Sequence, residues 1–192
     1  DRRQRQMCIR DSSMRNREAN DIIALYDGFS KSIVGANNAI DITHFRGAVA
    51  FLITDNDTSF GPAPMPVHAA FHAEQISDIV NDLSNPGTVQ ERTRAGAVAN
   101  DLLVRWWMGT DRVYGVPIFH SGYITRDSNS DAKGAIFHEN ALREVEEGEA
   151  EVTTEDDNSL RVVEHGIFKV WGEGERADAH GVEVLSDAAS TV

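Results

Sequence analysis

The chain has 192 residues, of which 41% are hydrophobic, and 31 acidic against 18 basic side chains give a formal net charge of −13. This length and apolar content suffice for one domain with a buried core. The negative charge disfavours contact with phosphate backbones, so a sequence-reading nucleic-acid binder is excluded. No run of about 18 apolar residues occurs, so we expect no membrane-spanning helix and no membrane partner.

Residues 2–12 read RRQRQMCIRDS and resemble a translated sequencing adapter with its transposase mosaic end. The alternative is a basic arm that binds nucleic acid or membrane. We set residues 1–12 aside as an adapter-like artefact and expect the natural N-terminus to be missing. Without them the charge is −15, from 14 basic and 29 acidic residues. The only cysteine, Cys8, is also removed, so neither a cysteine nucleophile nor a cysteine-ligated zinc is expected.

Two helices are predicted in the first third of the chain. Between residues 17 and 34, apolar side chains recur three and four apart, which predicts one buried helical face that ends before Gly35. Its members are Ile22, Leu25, Tyr26, Phe29 and Ile33. A second helix is predicted to begin with Thr43 as its N-cap. Its buried side chains are predicted to be Phe45, Val49, Leu52 and Ile53.

The middle of the chain alternates between loop, strand and helix. Residues 54–66 are rich in Asp, Asn, Gly and Pro, which predicts a loop. Residues 67–71 are mostly apolar, as in a strand covered on both faces. Residues 73–84 and 88–108 predict two further helices, the second of which contains Trp106 and Trp107. The apolar side chains that face inward from the first of them are predicted to be Ile76, Ile79, Val80 and Leu83.

Strands dominate the remainder of the chain. They are predicted over residues 113–120, 149–154 and 160–171, residues 134–142 are predicted to be a strand and a turn, and a solvated turn is predicted at 128–131. Helices interleaved with a strand therefore come first, and grouped strands come last. This order predicts an α+β fold, in which an α/β layer is followed by a separate, elongated strand-rich part.

Histidines offer the first candidate chemistry. His68 and His72 are four apart with Glu74 close by, a spacing that would suit a metal site on a helix. Because His68 falls in a predicted strand and His72 at a helix start, the two imidazoles are not expected to converge. An ordinary histidine at a strand end is the simpler interpretation, since no H-E-x-x-H motif is present.

A hydrolase-like set forms the second candidate. His120, Ser121 and Asp127 are the residue types of a catalytic triad, but no G-x-S-x-G elbow surrounds the serine, so a plain loop is favoured. The doublets His138-Glu139 and Glu164-His165 lie in predicted strands, where neighbouring side chains point to opposite faces.

The acidic run from Glu144 to Asp157 lacks the order of ligands of a calcium loop and is predicted to be solvated. Gly172 and Gly174 have no helix after them to support a phosphate loop. Trp106-Trp107 would suit an aromatic interface anchor or one buried and one half-buried indole. We therefore predict no catalytic, cofactor-binding or metal site.

Several stretches together follow the order of a known family. They are REANDIIALYDGFS (17–30), PMPVHAAFH (64–72), YGVPI (114–118), DAKGAIFHENAL (131–142), and the strand-like segments 158–172 and 181–188. In this order they resemble the major capsid protein of tailed phages, the Hong Kong 97-type fold, in its podovirus-like branch. The second stretch resembles a strand reading VLHP-x-Q, although Ala73 replaces the proline and Gln75 comes one residue late. The fourth resembles a GAxFHKDAL-like motif.

The resemblance implies a domain organisation and a function. Residues 13–36 would be the end of the spine helix in the peripheral domain, residues 37–141 the axial domain, and residues 142–192 the peripheral-domain strands. The chain would be a structural capsid subunit, not an enzyme, that forms the hexamers and pentamers of an icosahedral head around double-stranded DNA. Scaffolding and portal proteins would be its partners, and packaged DNA would be held without sequence-specific binding. It would be assembled in the host cytoplasm and found in the virion.

Two alternatives stay open at this point. One is a small acidic α/β enzyme of hydrolase or dehydratase type, with His120, Asp127 and His138 lining its pocket. The other is a binding module that uses Trp106 and Trp107 as its interface and forms a small defined oligomer.

Overall fold

The structure, a computed structural model, describes residues 2–54, 60–84, 112–148, 150–157 and 162–189. The helices are α1 Arg2–Ala24, α2 Ile42–Thr54 and α3 Ala73–Ser84. The strands are β1 Ser32–Val34, β2 His68–Phe71, β3 Arg112–Val113, β4 Val116–His120, β5 Asp131–Phe137, β6 Leu142–Glu146, β7 Glu151–Asp157, β8 Val162–Phe168, β9 Trp171–Glu175 and β10 Gly181–Asp187. Short 3₁₀ turns, Leu25–Gly28 and Asp178–His180, follow α1 and precede β10. The predicted α+β class is confirmed.

Six strands form one mixed sheet in the order β1-β10-β5-β2-β4-β3. Strands β1, β10, β2 and β4 run in one direction, and β5 and β3 run in the other. The remaining four strands form two antiparallel ribbons, β6–β9 and β7–β8. The sheet and the ribbons are thus separate hydrogen-bonded units, which agrees with the predicted split between an α/β layer and a strand-rich part.

Helices α2 and α3 cover one face of the six-stranded sheet. Phe45 and Leu52 of α2 are fully buried there, together with Ile79 of α3 and Ile136 of β5. The ring of Phe45 meets that of Phe71 edge-on, with 6.2 Å between centroids. Burying such side chains contributes about 1.5–3 kcal/mol each, so this layer supplies most of the apolar stabilisation.

The end of α1 covers the other face, and here the predicted helix boundary is wrong. The helix ends at Ala24, and Tyr26 and Phe29 pack into a second core with Phe137. Beyond them, Ile33 lies in β1, which pairs in parallel with β10. A strand partner from the far end of the chain therefore replaces the last helical turns. Periodicity within residues 17–34 alone contains no trace of that partner.

Helix α2 begins earlier than predicted. The Asp41 carboxylate accepts the His44 N–H at 2.7 Å, so Asp41 and not Thr43 is the N-cap. Phe45, Val49 and Leu52 are buried as predicted. Ile53 is 44% exposed, which contradicts its predicted burial, and Ala48 takes the place on the buried face.

The segment from β2 to α3 follows the prediction closely. Helix α3 has the predicted bounds, and Ile76, Ile79 and Val80 are buried. Strand β2 is covered on both faces, since consecutive residues Ala69 and Ala70 belong to the two different cores. The side chain of Leu83 and the whole predicted helix 88–108, with Trp106 and Trp107, lie outside the described residues.

Gln75, at the start of α3, is fully buried and joins this helix to the sheet. Its Nε2 donates to the Ala132 carbonyl at 2.9 Å, to the Val184 carbonyl at 3.3 Å and to Ser186 Oγ at 2.7 Å. Its Oε1 accepts the His72 N–H at 3.0 Å. One amide therefore connects the β2–α3 corner with β5 and β10.

Two of the predicted strands are divided in the structure. Residues 113–120 form a hairpin, in which Tyr114 and Gly115 have φ angles of 51° and 81°. This is the backbone that a two-residue hairpin turn requires. The predicted strand 160–171 is split between β8 and β9, which pair with different partners. The predicted solvated turn is confirmed for residues 128–130, where Asp127 Oδ1 accepts the N–H groups of Asn129 and Asp131, whereas Asp131 itself begins β5 and is buried.

The six-stranded sheet takes strands from all three predicted segments, 13–36, 37–141 and 142–192. The boundaries between axial and peripheral domains stay a prediction. Helix α1 continues through residue 12 without a break, and the adapter origin of residues 2–12 also stays a prediction. None of the helices in the described part of the chain combines the length and the apolar character that a membrane crossing needs.

Candidate assembly surface

A charged cluster joins helix α1 to the β6–β9 ribbon. Lys169 Nζ lies 2.6 Å from Glu18 Oε1 on α1 and 2.8 Å from Glu146 Oε1 on β6. The Lys169 and Glu18 side chains are only 14% and 15% exposed. Both carboxylates raise the pKa of the ammonium by accepting its hydrogen bonds. Lys169 is the only Lys or Arg between residues 162 and 175, and sequence reasoning assigned it no role, although its isolation among acids was a usable signal.

Further carboxylates lie on the same side of the ribbon. Glu144 and Glu173 are directly opposite each other in the β6–β9 ladder, where like charges repel. Burial raises the pKa of Glu144, and Glu146 and Glu18 add to the effect. Burial also raises the pKa of Glu173, whose two buried carboxylate oxygens have no hydrogen-bond partner within the described ranges. This side of the ribbon is therefore more negative than its single lysine can balance.

Three of these carboxylates are close enough together to be examined as a metal-ion site. Oxygens of Glu18, Glu144 and Glu146 all lie within 4.8 Å of one another. The Lys169 ammonium already contacts two of the three. The arrangement is explained as an ion-pair cluster that fixes α1 on the ribbon, and the prediction that the chain has no metal site stays a prediction.

The opposite side of the β6–β9 ribbon is flat and open. Side chains alternate along a strand, so this outer face consists of Arg143, Val145, Gly172 and Gly174. Val145 is 59% exposed, and a Cβ added at either glycine would meet nothing within 4 Å. The two glycines, considered above only for a phosphate loop, lie in β9 and leave two positions of this face without a side chain.

The β7–β8 ribbon is exposed as well. Phe168 and Val152 are 64% and 49% exposed, and Glu151 and Glu155 lie at the surface beside them. The predicted solvated acidic strand is confirmed for these residues. A two-stranded ribbon by itself is only marginally stable in water, so a seven-residue ribbon with exposed apolar side chains is typical of a surface that gains a partner. The backbone of Glu164-His165 lies in β8, and the side chains of this doublet lie outside the described ones.

The histidines near β2 have structural roles. His72 caps α3, since its Nδ1 accepts the Glu74 N–H at 3.2 Å. Burial lowers the pKa of His72, Arg126 lowers it further, and Glu74 acts in the opposite direction. His68 lies half-buried at the start of β2. Among the residues described, no group of three possible metal ligands includes either histidine.

The residues of the hydrolase alternative are not brought together. His120 is opposite Phe71, at the end of β2. Phe137 is opposite His68, at the start of β2, so His138 lies one residue beyond the other end. At 3.3 Å per residue, the two histidines are separated by about 13 Å along the strands. Asp127 uses its Oδ1 to close a turn, and Ser121 Oγ accepts the Tyr123 N–H at 3.3 Å. The predicted pocket shared by His120, Asp127 and His138 is therefore not formed.

The fold is similar to solved phage capsid structures. A capsid structure of Helicobacter pylori bacteriophage KHP30 aligns with 98% of this chain and 70% of its own, at a TM-score of 0.70 and 11% identity. The holo-SrpI encapsulin complex of Synechococcus elongatus PCC 7942 aligns with 99% of this chain and 68% of its own chain, at a TM-score of 0.68 and 11% sequence identity. A structure from Mycobacterium phage Che8 aligns with 93% of this chain and 60% of its own chain, at a TM-score of 0.65 and 14% sequence identity.

These likenesses establish the fold. The chain has the phage-capsid fold, as the sequence resemblance implied. It spans 60% and 65% of the chains from Mycobacterium phage Che8 and Helicobacter pylori bacteriophage KHP40. No protein-family model matches the sequence, and no curated protein matches it either.

Proposed function

We propose that the chain is a structural subunit of a bacteriophage major capsid protein. The observation that carries the proposal is the likeness of nearly the whole chain to head and capsid structures of several phages. The subunits would self-assemble into the hexamers and pentamers of an icosahedral head that holds double-stranded DNA. The podovirus-like branch, the adapter origin of residues 2–12 and the domain boundaries at residues 36 and 141 are parts of the same proposal.

The surface described above supports self-association. The outer face of the β6–β9 ribbon is flat, and the β7–β8 ribbon exposes apolar side chains next to acidic ones. Subunits that join head-to-tail around a ring need broad contacts of this kind and not a deep cleft. Five of the eleven large apolar side chains that are exposed in the described part of the chain lie in these two ribbons and the Lys169-Val170 link. We therefore place the contact between copies there.

Charge supports the proposed relation to DNA. With a net charge of −13, the chain would contact packaged DNA weakly, since binding to phosphates strengthens with each Lys or Arg that reaches them. A shell that does not adhere to its contents suits a head from which DNA must leave. Scaffolding and portal proteins are the further partners we propose, with assembly in the host cytoplasm and a final location in the virion.

The proposed role is not enzymatic. His120 and His138 lie at opposite ends of β2, and Asp127 is engaged in a turn. If the chain were nevertheless a hydrolase or dehydratase, His120→Ala or His138→Ala would abolish turnover of its substrate while leaving its association state unchanged.

Light scattering after size-exclusion chromatography tests the proposal. We expect the mass to rise with concentration in multiples of 21.1 kDa, and electron microscopy to show rings or closed particles. Val145→Glu on the outer face and Phe168→Glu on the β7–β8 ribbon should each prevent this association. Ile53→Glu, at an exposed apolar residue of α2, is the matched control and should associate like the unchanged chain. A mass of 21.1 kDa at every concentration would refute the proposed self-assembly.

A further inference from the structure

The chain passes between the six-stranded sheet and the β6–β9 ribbon at two places, residues 138–141 and residues 176–180. Together we call these two connections the junction. The Ala141 carbonyl accepts the N–H groups of Arg176 and Ala177 at 2.8 and 3.3 Å, and the His180 carbonyl accepts the His138 N–H at 3.0 Å. The junction is therefore held by hydrogen bonds that run from one connection to the other.

The His138 side chain shapes the first connection. Its Nδ1 accepts the Asn140 N–H at 3.1 Å, and its carbonyl accepts the Ala141 N–H at 2.8 Å. The ring is 4% exposed. Because Nδ1 is used as an acceptor, the ring must be neutral with its proton on Nε2. A proton added at Nδ1 would break the bond to Asn140 and leave a buried charge.

The second connection offers that charge no compensation. The His180 ring meets the His138 ring edge-on, with 6.1 Å between centroids, and is 6% exposed. His180 Nε2 lies 3.3 Å from the Gly61 carbonyl, so it carries the proton and leaves Nδ1 as a lone pair. That nitrogen is buried and has no hydrogen-bond partner in the part of the chain that is described.

The charged groups around the ring mostly oppose protonation. Burial lowers the pKa of His138, the exposed Glu139 raises it, and His180 and His68 lower it. Arg176, from the second connection, donates from Nη1 to Asn140 Oδ1 at 3.3 Å, which adds a positive charge next to the turn. Of these neighbours, Glu139 alone is negative, and it lies at the surface.

We propose that the turn formed by His138, Asn140 and Ala141 is a proton-sensitive device that holds the β6–β9 ribbon against the sheet near neutral pH and releases it on acidification. This inference concerns the fold itself and does not depend on the proposed function. If the chain does form a shell, the release would let the ribbon and the sheet change their relative orientation without unfolding either one.

The direction and size of the effect follow from linkage. The folded junction binds fewer protons than the opened one, because the pKa of His138 is lowered on folding. Its stability is therefore complete above the unfolded pKa, about 6.5, and declines below it. For one histidine that stays neutral when folded, the opening constant rises about tenfold between pH 7.5 and 5.5.

Hydrogen exchange followed by mass spectrometry tests this on the full chain. After correction for intrinsic exchange rates, we expect protection of peptides that cover 138–142 and 176–181 to fall between pH 7.5 and 5.5, by at most about tenfold. A peptide from α3 serves as the internal reference and should keep its protection. If the junction peptides show the same pH response as the reference, the proposal is overturned, whatever the association state of the chain.

A substitution separates His138 from the other histidines. His138→Asn retains an acceptor near the position of Nδ1 but cannot be protonated, so the pH response of the junction should disappear. His44→Asn is the matched control, since His44 is an exposed histidine paired with Asp41 on α2, and it should respond like the unchanged chain. A response that persists in His138→Asn would contradict the assignment. Should that variant not fold, the pH dependence of hydrogen exchange in the unchanged chain still tests the proposal.

Discussion

Gln75 is the residue whose loss is expected to affect the fold most specifically. We consider Gln75→Leu, which keeps the approximate volume of the side chain and removes its amide. The substitution leaves the His72 N–H without its acceptor and Ser186 Oγ without its donor, and the Ala132 carbonyl loses a bond of 2.9 Å. Because Gln75 is 0% exposed, water cannot replace these bonds without opening the β2–α3 corner.

The expected cost follows from the number of groups left unpaired. A buried polar group that loses its only partner costs about 1–3 kcal/mol, and two such groups, the His72 N–H and the Ser186 hydroxyl, are created. The leucine recovers less than about 1 kcal/mol, because the site is already buried and only the polar atoms change. We therefore expect the free energy of unfolding to fall by about 3 kcal/mol.

Urea-induced unfolding, followed by far-ultraviolet circular dichroism, measures this loss. With a slope of about 2 kcal/mol per molar urea, the midpoint should fall by about 1.5 M. Asn81→Leu, at an exposed residue of the same helix, is the control and should change stability by less than about 0.5 kcal/mol. In the Gln75→Leu background, Ser186→Ala should cost about 1 kcal/mol less than it does alone. A loss under about 1 kcal/mol together with additive effects of the two substitutions would refute the reasoning.

Two further pairs of substitutions test other parts of the structure. A Cβ added at Gly134 would lie 2.8 Å from the Ala70 carbonyl, so Gly134→Ala should lower the free energy of unfolding by about 1–3 kcal/mol, whereas Gly47→Ala, which has open space within a helix, should raise it by up to about 1 kcal/mol. Thermal melting that showed the same sign for both would contradict this. Lys169→Met should lower the urea midpoint more at pH 8 than at pH 5, because Glu144, whose carboxylate interacts with the ammonium, has a raised pKa and takes up a proton in acid. Lys31→Met is the exposed control, and an equal loss for Lys169→Met at both pH values would rule out an ionic origin.

The elements that the sequence predicted well are those determined by their own residues. Helix α3 is stopped by Asn85-Pro86-Gly87 and has its apolar residues at helical spacing, and its bounds are confirmed. Strand β2 was recognisable because four of the five residues 67–71 are apolar, as in a strand covered on both faces. The phage-capsid fold, suggested by the order of short motifs, is confirmed by the likeness to solved structures.

The elements that the sequence predicted poorly depend on distant partners. Residues 29–34 have helical periodicity but are drawn into a turn and a strand by β10, about 150 residues further along. Residues 160–171 look like one strand because they are β-forming throughout, but β8, which pairs with β7, ends at Phe168, and Trp171 begins β9, which pairs with β6. The identity of the pairing strand cannot be read from the local sequence pattern in either case.

The candidate surface was only partly predictable, for the same reason. The acidic strands were predicted to be solvated, and Gly172 and Gly174 were considered only for a phosphate loop. That Gly172 is opposite Val145, and Glu173 opposite Glu144, follows from the register of the β6–β9 ribbon. Register depends on the paired strand, so the ion-pair cluster around Lys169 could not be derived from the isolated stretch 162–175. The same holds for Gln75, whose partners are 57 and 111 residues away.

The position of β10 between β1 and β5 also determines when the sheet can be finished during synthesis. Strand β5 has one neighbour, β2, that leaves the ribosome before it, and the other edge of its seven residues stays unpaired until residues 181–187 have followed. Such an open edge can bind a strand from another nascent chain. Strand β1 stays unpaired for longer still, because β10, its parallel partner, follows every other described strand. Contacts this distant in sequence slow folding, so the nascent chain completes its ribbons before it closes its sheet.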